Sequence, residues 1–328
     1  MVYKHVTTKT LENQFWVRNL AKKHEFDSKS AEELKFQELL TRSIVPQIDI
    51  KHMVVLHGQY GVAYELLKDS LEAYITPCLV GPPGVGKSLL ARKISQDLGR
   101  PFYELFFDEN VTPSRLIGSF DPALVARLGR NTETFEPGPL IKAMVEGGIF
   151  LAQELNRATE FCQNSLISPL EEKHYYIYPI GLVKADERFS LIATQNPIEH
   201  AGTYRLSHVL MDRVGCWIRL DYPDEQTELE IVKVNVPELN LSEDTLRKIY
   251  KVVASTRTEP IFEVPASPRA GIFLAQLVNK YASKFDSEDD AIRFFAIPVL
   301  RKEIKVKGPK SIEQLLNETT EKVLKGEA

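Results

Sequence analysis

The chain has 328 residues, 43% of them hydrophobic and 26% charged, with a formal net charge of −4. That length can bury more than one hydrophobic core, and that composition excludes a disordered or collagen-like chain. The slightly acidic balance gives no general attraction to nucleic acid or to an anionic membrane, so contact with nucleic acid is not expected.

Three cysteines, Cys78, Cys162 and Cys216, stand far apart with no C-x-x-C pair, and the seven histidines lack ligand spacing. Neither a zinc site nor a disulfide framework is indicated, and the thiols read as core residues in a reducing compartment. The first residues mix Lys4, Lys9, Glu12 and Arg18 without an apolar leader, and no run approaches the roughly 18 apolar residues of a membrane span. A cytoplasmic protein without a membrane span is expected.

Residues 1–53 predict an N-terminal helical extension. Leu11, Phe15 and Val17 suggest one apolar face, and Ser30 with Glu33 forms a capping box ahead of Leu34, Leu39 and Leu40. A further helix carries Val62, Leu66, Leu67 and Leu71 and leads to an apolar strand, Cys78, Leu79 and Val80. After it comes GPPGVGKS, which fits the phosphate-binding pattern G-x-x-x-x-G-K-[ST] at every fixed position, and then the helical run Leu89, Leu90, Ala91 and Ile94.

That strand, loop and helix can wrap a triphosphate in backbone N–H groups at a helix N-terminus. Gly81, Gly84 and Gly86 lack a Cβ that would obstruct the loop. Lys87 can reach the β and γ phosphates, and the Ser88 hydroxyl can bind Mg²⁺. The nucleotide-binding set is therefore Gly81, Pro82, Pro83, Gly84, Val85, Gly86, Lys87 and Ser88, with Leu89 behind them. ATP and Mg²⁺ are the expected cofactors.

Phe102–Phe107 predicts a second buried strand. Val111–Pro139 is polar and broken by turn residues such as Gly118, Asp121, Gly129 and Asn131, so it reads as an insert rather than one helix. A short apolar strand, Ile149–Ala152, ends in Gln153-Glu154, and a carboxylate leaving such a strand is suited to position an attacking water. Tyr176, Tyr178 and Ile180 alternate around Gly181 and predict a hairpin, and the next strand runs from Phe189 into Thr194-Gln195-Asn196-Pro197. Asn196 can hydrogen-bond the γ phosphate or the water, or simply make the turn before Pro197.

Asp212-Arg213 ends a helix, as a surface ion pair or as a cation that completes a neighbouring subunit's site. From Asp221 the pattern turns helical. Leu246, Ile249 and Val253 mark one helix; Ser267 with Pro268 opens another along Leu274, Leu277, Val278 and Tyr281. Arg269 falls in its first turn, where a cation opposes the helix dipole unless it serves an anion. Ser287 with Asp290 caps a helix that Pro298 interrupts, and Ser311 with Gln314 caps the last. The expected fold is α/β, a parallel sheet core at 54–222, followed by a smaller all-helical lid at 223–328.

Taken together, GPPGVGKS, LAQELNRA at 151–158, IATQNPIEHAGTY at 192–204, MDR at 211–213 and ASPRA at 266–270 resemble the blocks of the AAA+ ATPases, specifically the MoxR family of the helix-2 insert clade. The resemblance covers about residues 54–304. It implies Walker A roles for Lys87 and Ser88, the catalytic Walker B glutamate at Glu154, sensor 1 at Asn196, the arginine finger at Arg213 and sensor 2 at Arg269. It also implies ATP hydrolysis by a ring oligomer, a hexamer, that remodels client protein complexes, often with a von Willebrand factor A domain partner.

Two departures stand out. Gln153 occupies the usual Walker B aspartate position, and Arg205 stands where proline is commoner. An amide at 153 points to weaker Mg²⁺ handling, unless Asp108 or Glu109 compensates, and Gln153→Asp should then lower the Mg²⁺ requirement. It also keeps open a slow, nucleotide-gated scaffold; a DNA-acting relative is the third reading, disfavoured by the acidic balance.

Overall fold

The computed structural model describes residues 50, 54–197, 206–301, 304–306 and 310–327. The helices expected before residue 50, and Arg205, lie outside the described residues. Contacts set residues 121–135 apart from the body formed by the described residues of Pro46–Phe120 and Glu136–Ala328.

In that body, helix α1 (Gln59–Glu72) leads into strand β1 (Thr76–Val80), and helix α2 (Lys87–Asp97) into β2 (Phe102–Phe106). There follow β3 (Ile149–Gln153), an antiparallel hairpin of β4 (His174–Ile177) and β5 (Gly181–Lys184), β6 (Ser190–Gln195), helix α3 (His208–Arg213) and β7 (Val214–Arg219). Five strands form one parallel sheet in the order β2-β3-β6-β1-β7. The inner strands TPCLV, IFLAQ and SLIATQ are nearly unbroken apolar runs because a parallel sheet is covered on both faces.

The second strand is not buried as expected. Among the described residues β2 lies at the sheet edge, paired with β3 alone, and Phe106 is 47% exposed whereas Phe107, the next residue, is fully buried. Aromatic composition announces a strand but not its place in the sheet. Helix α1 buries Leu67 and Leu71 of the expected set together with Tyr60 and Ala63, while Val62 and Leu66 face out. The buried positions follow one another by three or four residues and so share one stripe, beside which 62 and 66 fall.

Beyond β7 the chain is mostly helical, with α4 (Glu225–Asn235), α5 (Glu243–Thr258), α6 (Pro268–Tyr281), α7 (Glu288–Leu300) and α8 (Ile312–Leu324). Leu246, Ile249, Val253, Leu274, Val278, Leu315 and Leu316 bury together in a core distinct from the one around the sheet. The expected caps are in place: Pro268 follows the N-cap Ser267, the Ser287 hydroxyl accepts from Asp290 N–H at 3.1 Å, and Ser311 with Gln314 forms a capping box. Pro298 does not interrupt its helix. It sits inside α7, which continues to Leu300: the proline removes one hydrogen-bond donor, and only two residues of helix follow it.

Residues 121–135 show why the insert is not one helix. Asp121 Oδ1 accepts from Ala123 and Leu124 N–H at 2.7 and 3.0 Å to start the short helix Pro122–Leu128, and Asn131 caps the 3-10 turn Thr132–Thr134. The turn residues of the sequence are caps. Among the described residues no helix is long and apolar enough to cross a membrane.

Candidate functional site

The parallel register aligns Val80 with Gln195 and Phe106 with Gln153, so Gly81, Glu154 and Asn196 all leave the sheet at its carboxyl edge. Ligands of open α/β sheets bind at that edge. Residues 81–86 form the loop from β1 to α2, with Gly86 as the N-cap of α2. Pro83 and Leu89 are exposed, and Val85 is buried. Glycine is required for a reason the motif does not reveal. A Cβ on Gly84, whose φ is +77°, would lie 2.5 Å from Ser267 Cβ, and one on Gly81 would lie 2.0 Å from Leu220 O. The start of α6 and the end of β7 thus press directly on the loop.

Lys87 is 7% exposed. Its Nζ donates to Gly81 O at 2.7 Å, Pro82 O at 2.8 Å and Asn196 Oδ1 at 3.0 Å, tying the loop to the end of β6. Burial pulls its ammonium down to about 8, with Glu154 opposing. In the free protein the buried cation therefore costs stability below about pH 8, a cost relieved as pH rises through the window up to 10.5. A phosphate anion arriving at Nζ restores the charged form, so binding takes up a proton. Affinity for a triphosphate is accordingly expected to fall as pH rises past 8. Calorimetric titration at pH 8.5 in two buffers of different ionisation enthalpy should show net proton uptake; identical heats would remove Lys87 from the anion's surroundings.

Ser88 Oγ donates to Gln153 Oε1 at 2.7 Å, and Gln153 Nε2 donates to Glu104 Oε2 at 2.8 Å. Arg92 Nη2 in turn donates to Glu104 Oε1 at 2.5 Å. The carboxylate beside Gln153 is therefore Glu104 of β2, not Asp108 or Glu109; Asp108 instead accepts from Asn110 N–H at 2.7 Å. Glu154 has a left-handed backbone, φ +53°, its N–H donates to Thr194 Oγ1 at 3.0 Å, and its carboxylate pairs with Arg157 at 3.0 Å. A non-glycine residue in that region is uncommon, and such positions concentrate at functional sites. Asn196 is buried, and its carbonyl accepts from Asn156 Nδ2 at 3.0 Å.

Arg269, in the first turn of α6, lines an open cleft together with Tyr60, Gly84, Val85, Gly86 and Leu89. Tyr60 Oη donates to Val85 O at 3.0 Å, which anchors α1 on the loop. Arg213 makes its contacts elsewhere: Nη2 donates to Glu171 Oε2 at 2.5 Å and Nη1 to Val209 O at 2.6 Å. Its ionic partner is Glu171 rather than the adjacent Asp212. The structure thus gathers residues 81–89, Gln153, Glu154 and Asn196 at the sheet edge, with Arg269 across the cleft, and leaves Arg213 out of that group. Sequence reading missed Glu104, Thr194, Asn156 and Arg157. Glu104 left one signal, a lone carboxylate alternating with aromatic residues in a strand.

Residues 77–214 match the model of the AAA domain, dynein-related subfamily. The chain is 32% identical over 158 residues to chaperone MoxR1 of Mycobacterium tuberculosis, covering 47% of this chain and 38% of that one. It is 28% identical over 223 residues to the gas vesicle ATPase GvpN of Haloferax mediterranei, covering 60% of each. An uncharacterized protein of Staphylococcus saprophyticus is 31% identical over 208 residues, 61% of this chain and 77% of its own length. The chain therefore spans less than two thirds of the length of MoxR1 and of GvpN. AAA domains as a class bind ATP, and a phosphate loop seated on a five-stranded parallel sheet, an acidic residue at the end of β3 and a helical region bearing on the loop are their architecture. This chain belongs to the MoxR-type AAA+ ATPases.

Proposed function

We propose that the chain binds Mg·ATP at residues 81–89 and hydrolyses it as one subunit of a ring, a hexamer, that remodels client protein complexes. The observation that carries this reading is Lys87: a buried ammonium that donates to three neutral oxygens, Gly81 O, Pro82 O and Asn196 Oδ1, beside a loop where an anion would offset its burial. Among the described residues no cluster of three His, Cys, Asp or Glu is available to a metal. Ser88 Oγ and Gln153 Oε1 instead offer hard oxygens, which suits Mg²⁺, an ion that keeps waters and takes phosphate oxygens as its remaining ligands. Bound there, Mg²⁺ supplies neutralisation of charge on the β and γ phosphates.

Glu154 then positions the attacking water, Asn196 orients it against the γ phosphate, and Arg269 closes on the phosphates from the helical lid at 223–328. Arg213 acts on the neighbouring subunit, which fits its absence from its own chain's site and its pairing with Glu171. The hairpin tyrosines Tyr176 and Tyr178, 63% and 73% exposed, are the client-facing surface. The proposed setting is cytoplasmic, with a von Willebrand factor A domain protein as a candidate partner. A neutral amide at 153 favours a second reading, a slowly cycling scaffold, and the turnover rate of the parent protein decides between them.

Arg213→Ala is expected to bind ATP within about twofold of the parent and to hydrolyse it about a thousandfold more slowly. Mixing it with a Glu154→Gln chain should restore turnover, since half of the mixed interfaces join an intact Glu154 site to an intact Arg213. Steady-state phosphate release from the mixture is the measurement; no recovery at any ratio would make Arg213 a residue of its own subunit's fold.

A further inference from the structure

Four side chains form a hydrogen-bonded chain beside the phosphate loop. Ser88 and Arg92 are one turn apart on α2 and face the same side. Glu104 and Gln153 share one face of the sheet, because Phe106 is the register partner of Gln153 and Glu104 lies two residues before it. Arg92 seats its guanidinium 5.2 Å from the Phe102 ring centre and holds Glu104, which accepts from the Gln153 amide, whose oxygen accepts from Ser88.

A carboxylate at position 153 would present oxygen to a cation whichever way it turned. An amide would not: turned over, it offers N–H to Ser88 and to the metal. Which end faces the loop is decided by its neighbours. Glu104, an acceptor with no hydrogen to give, takes the Nε2 end and leaves Oε1 for Ser88. We propose that Glu104 is the positioning residue that fixes the Gln153 amide with its oxygen toward Mg²⁺, making the Gln153–Glu104 pair a working substitute for an aspartate at 153. This rests on the Mg·ATP reading above. It also revises the expectation for Gln153→Asp alone. An aspartate there, one methylene shorter than Gln153, would set a second carboxylate near Glu104 with no N–H to bridge them, and while that repulsion stands the Mg²⁺ requirement should rise rather than fall.

The test is the Mg²⁺ concentration that half-saturates binding of a fluorescent ATP analogue to the full-length chain. Glu104→Leu, which frees the amide to turn, should raise it about tenfold, and Glu104→Gln, which keeps an accepting oxygen, should bring it back to within about threefold. In the Gln153→Asp background the sign reverses: there Glu104→Gln removes the repulsion, supplies a donor to the aspartate, and lowers the Mg²⁺ requirement. A residue that merely supports the fold would not change sign with its neighbour. Equal Mg²⁺ dependence in the parent and Glu104→Leu, or the same effect of Glu104→Gln in both backgrounds, would overturn the proposal. A parent chain that binds the analogue tightly with or without Mg²⁺ also overturns it while leaving nucleotide binding intact; a parent that binds none overturns the Mg·ATP reading itself.

Discussion

Lys87→Ala is expected to lower ATP affinity by more than about a hundredfold, the loss of two charge-assisted hydrogen bonds worth about 1.5 to 3 kcal/mol each. The size of the effect follows from where the ammonium sits. It is buried, already stripped of most of its water, and its burial holds it near the point of losing its proton. The desolvation is therefore met in the free protein and need not be met again on binding, so the anion receives a pre-positioned cation. The same substitution strands Gly81 O, Pro82 O and Asn196 Oδ1, so Lys87→Met, which keeps the volume, is the companion variant. Equilibrium binding of a fluorescent ATP analogue reads the outcome, with melting temperature as the check on folding. Affinity unchanged in both variants would remove the phosphate loop from nucleotide binding.

The largest effect on stability is expected at Arg257. Its Nη1 and Nη2 donate to the two carboxylate oxygens of Glu228 at 2.6 and 2.8 Å, its Nε donates to Ala266 O at 3.1 Å, and its guanidinium lies 4.4 Å from the Tyr222 ring centre. The side chains are 9% and 2% exposed. Arg257→Ala leaves Glu228 buried without a counter-charge, which costs about 3 to 5 kcal/mol. Burial pushes the Glu228 carboxyl up, and Arg257 pulls it back. Without the arginine it rises further, so the folded variant binds a proton that the unfolded chain releases, and its deficit shrinks as pH falls. Denaturant unfolding at pH 8 and pH 5.5 should show the larger loss at pH 8. Replacing both partners together, Glu228→Leu with Arg257→Met, should recover most of the deficit. A deficit below about 1 kcal/mol, independent of pH, would place the pair in water.

The same pair links the helical region to the nucleotide cleft. Arg257 fastens α5 to α4 and reaches the segment that ends at Ser267, whose side chain abuts Gly84. Position 269 is thereby held where it lines the cleft. None of this was visible in the sequence, where Glu228 and Arg257 are ordinary charged residues on two amphipathic helices.

What the sequence determined by itself is what depends on neighbours along the chain. The phosphate loop, the caps at Ser287 and Ser311, the hairpin around Gly181 and the strand before Glu154 are all set by spacings of a few residues, because turn dihedrals, caps and helical or strand periodicity are short-range. One expectation failed where the deciding contact was long-range. The strand at Phe102 is half-buried rather than buried because it ends up at the sheet edge. The carboxylate beside Gln153 is a matter of strand order for the same reason. Asp108 and Glu109 lie just beyond the end of β2, but Glu104, inside the strand, shares a face of the sheet with Gln153. Once β2 pairs with β3 and α2 packs across both, Ser88, Gln153, Glu104 and Arg92 are brought within hydrogen-bonding distance, although 49 residues separate Glu104 from Gln153. Hydrogen bonds act over about 3 Å, so only the tertiary fold, which chooses the residues that come that close, could decide which carboxylate serves the site.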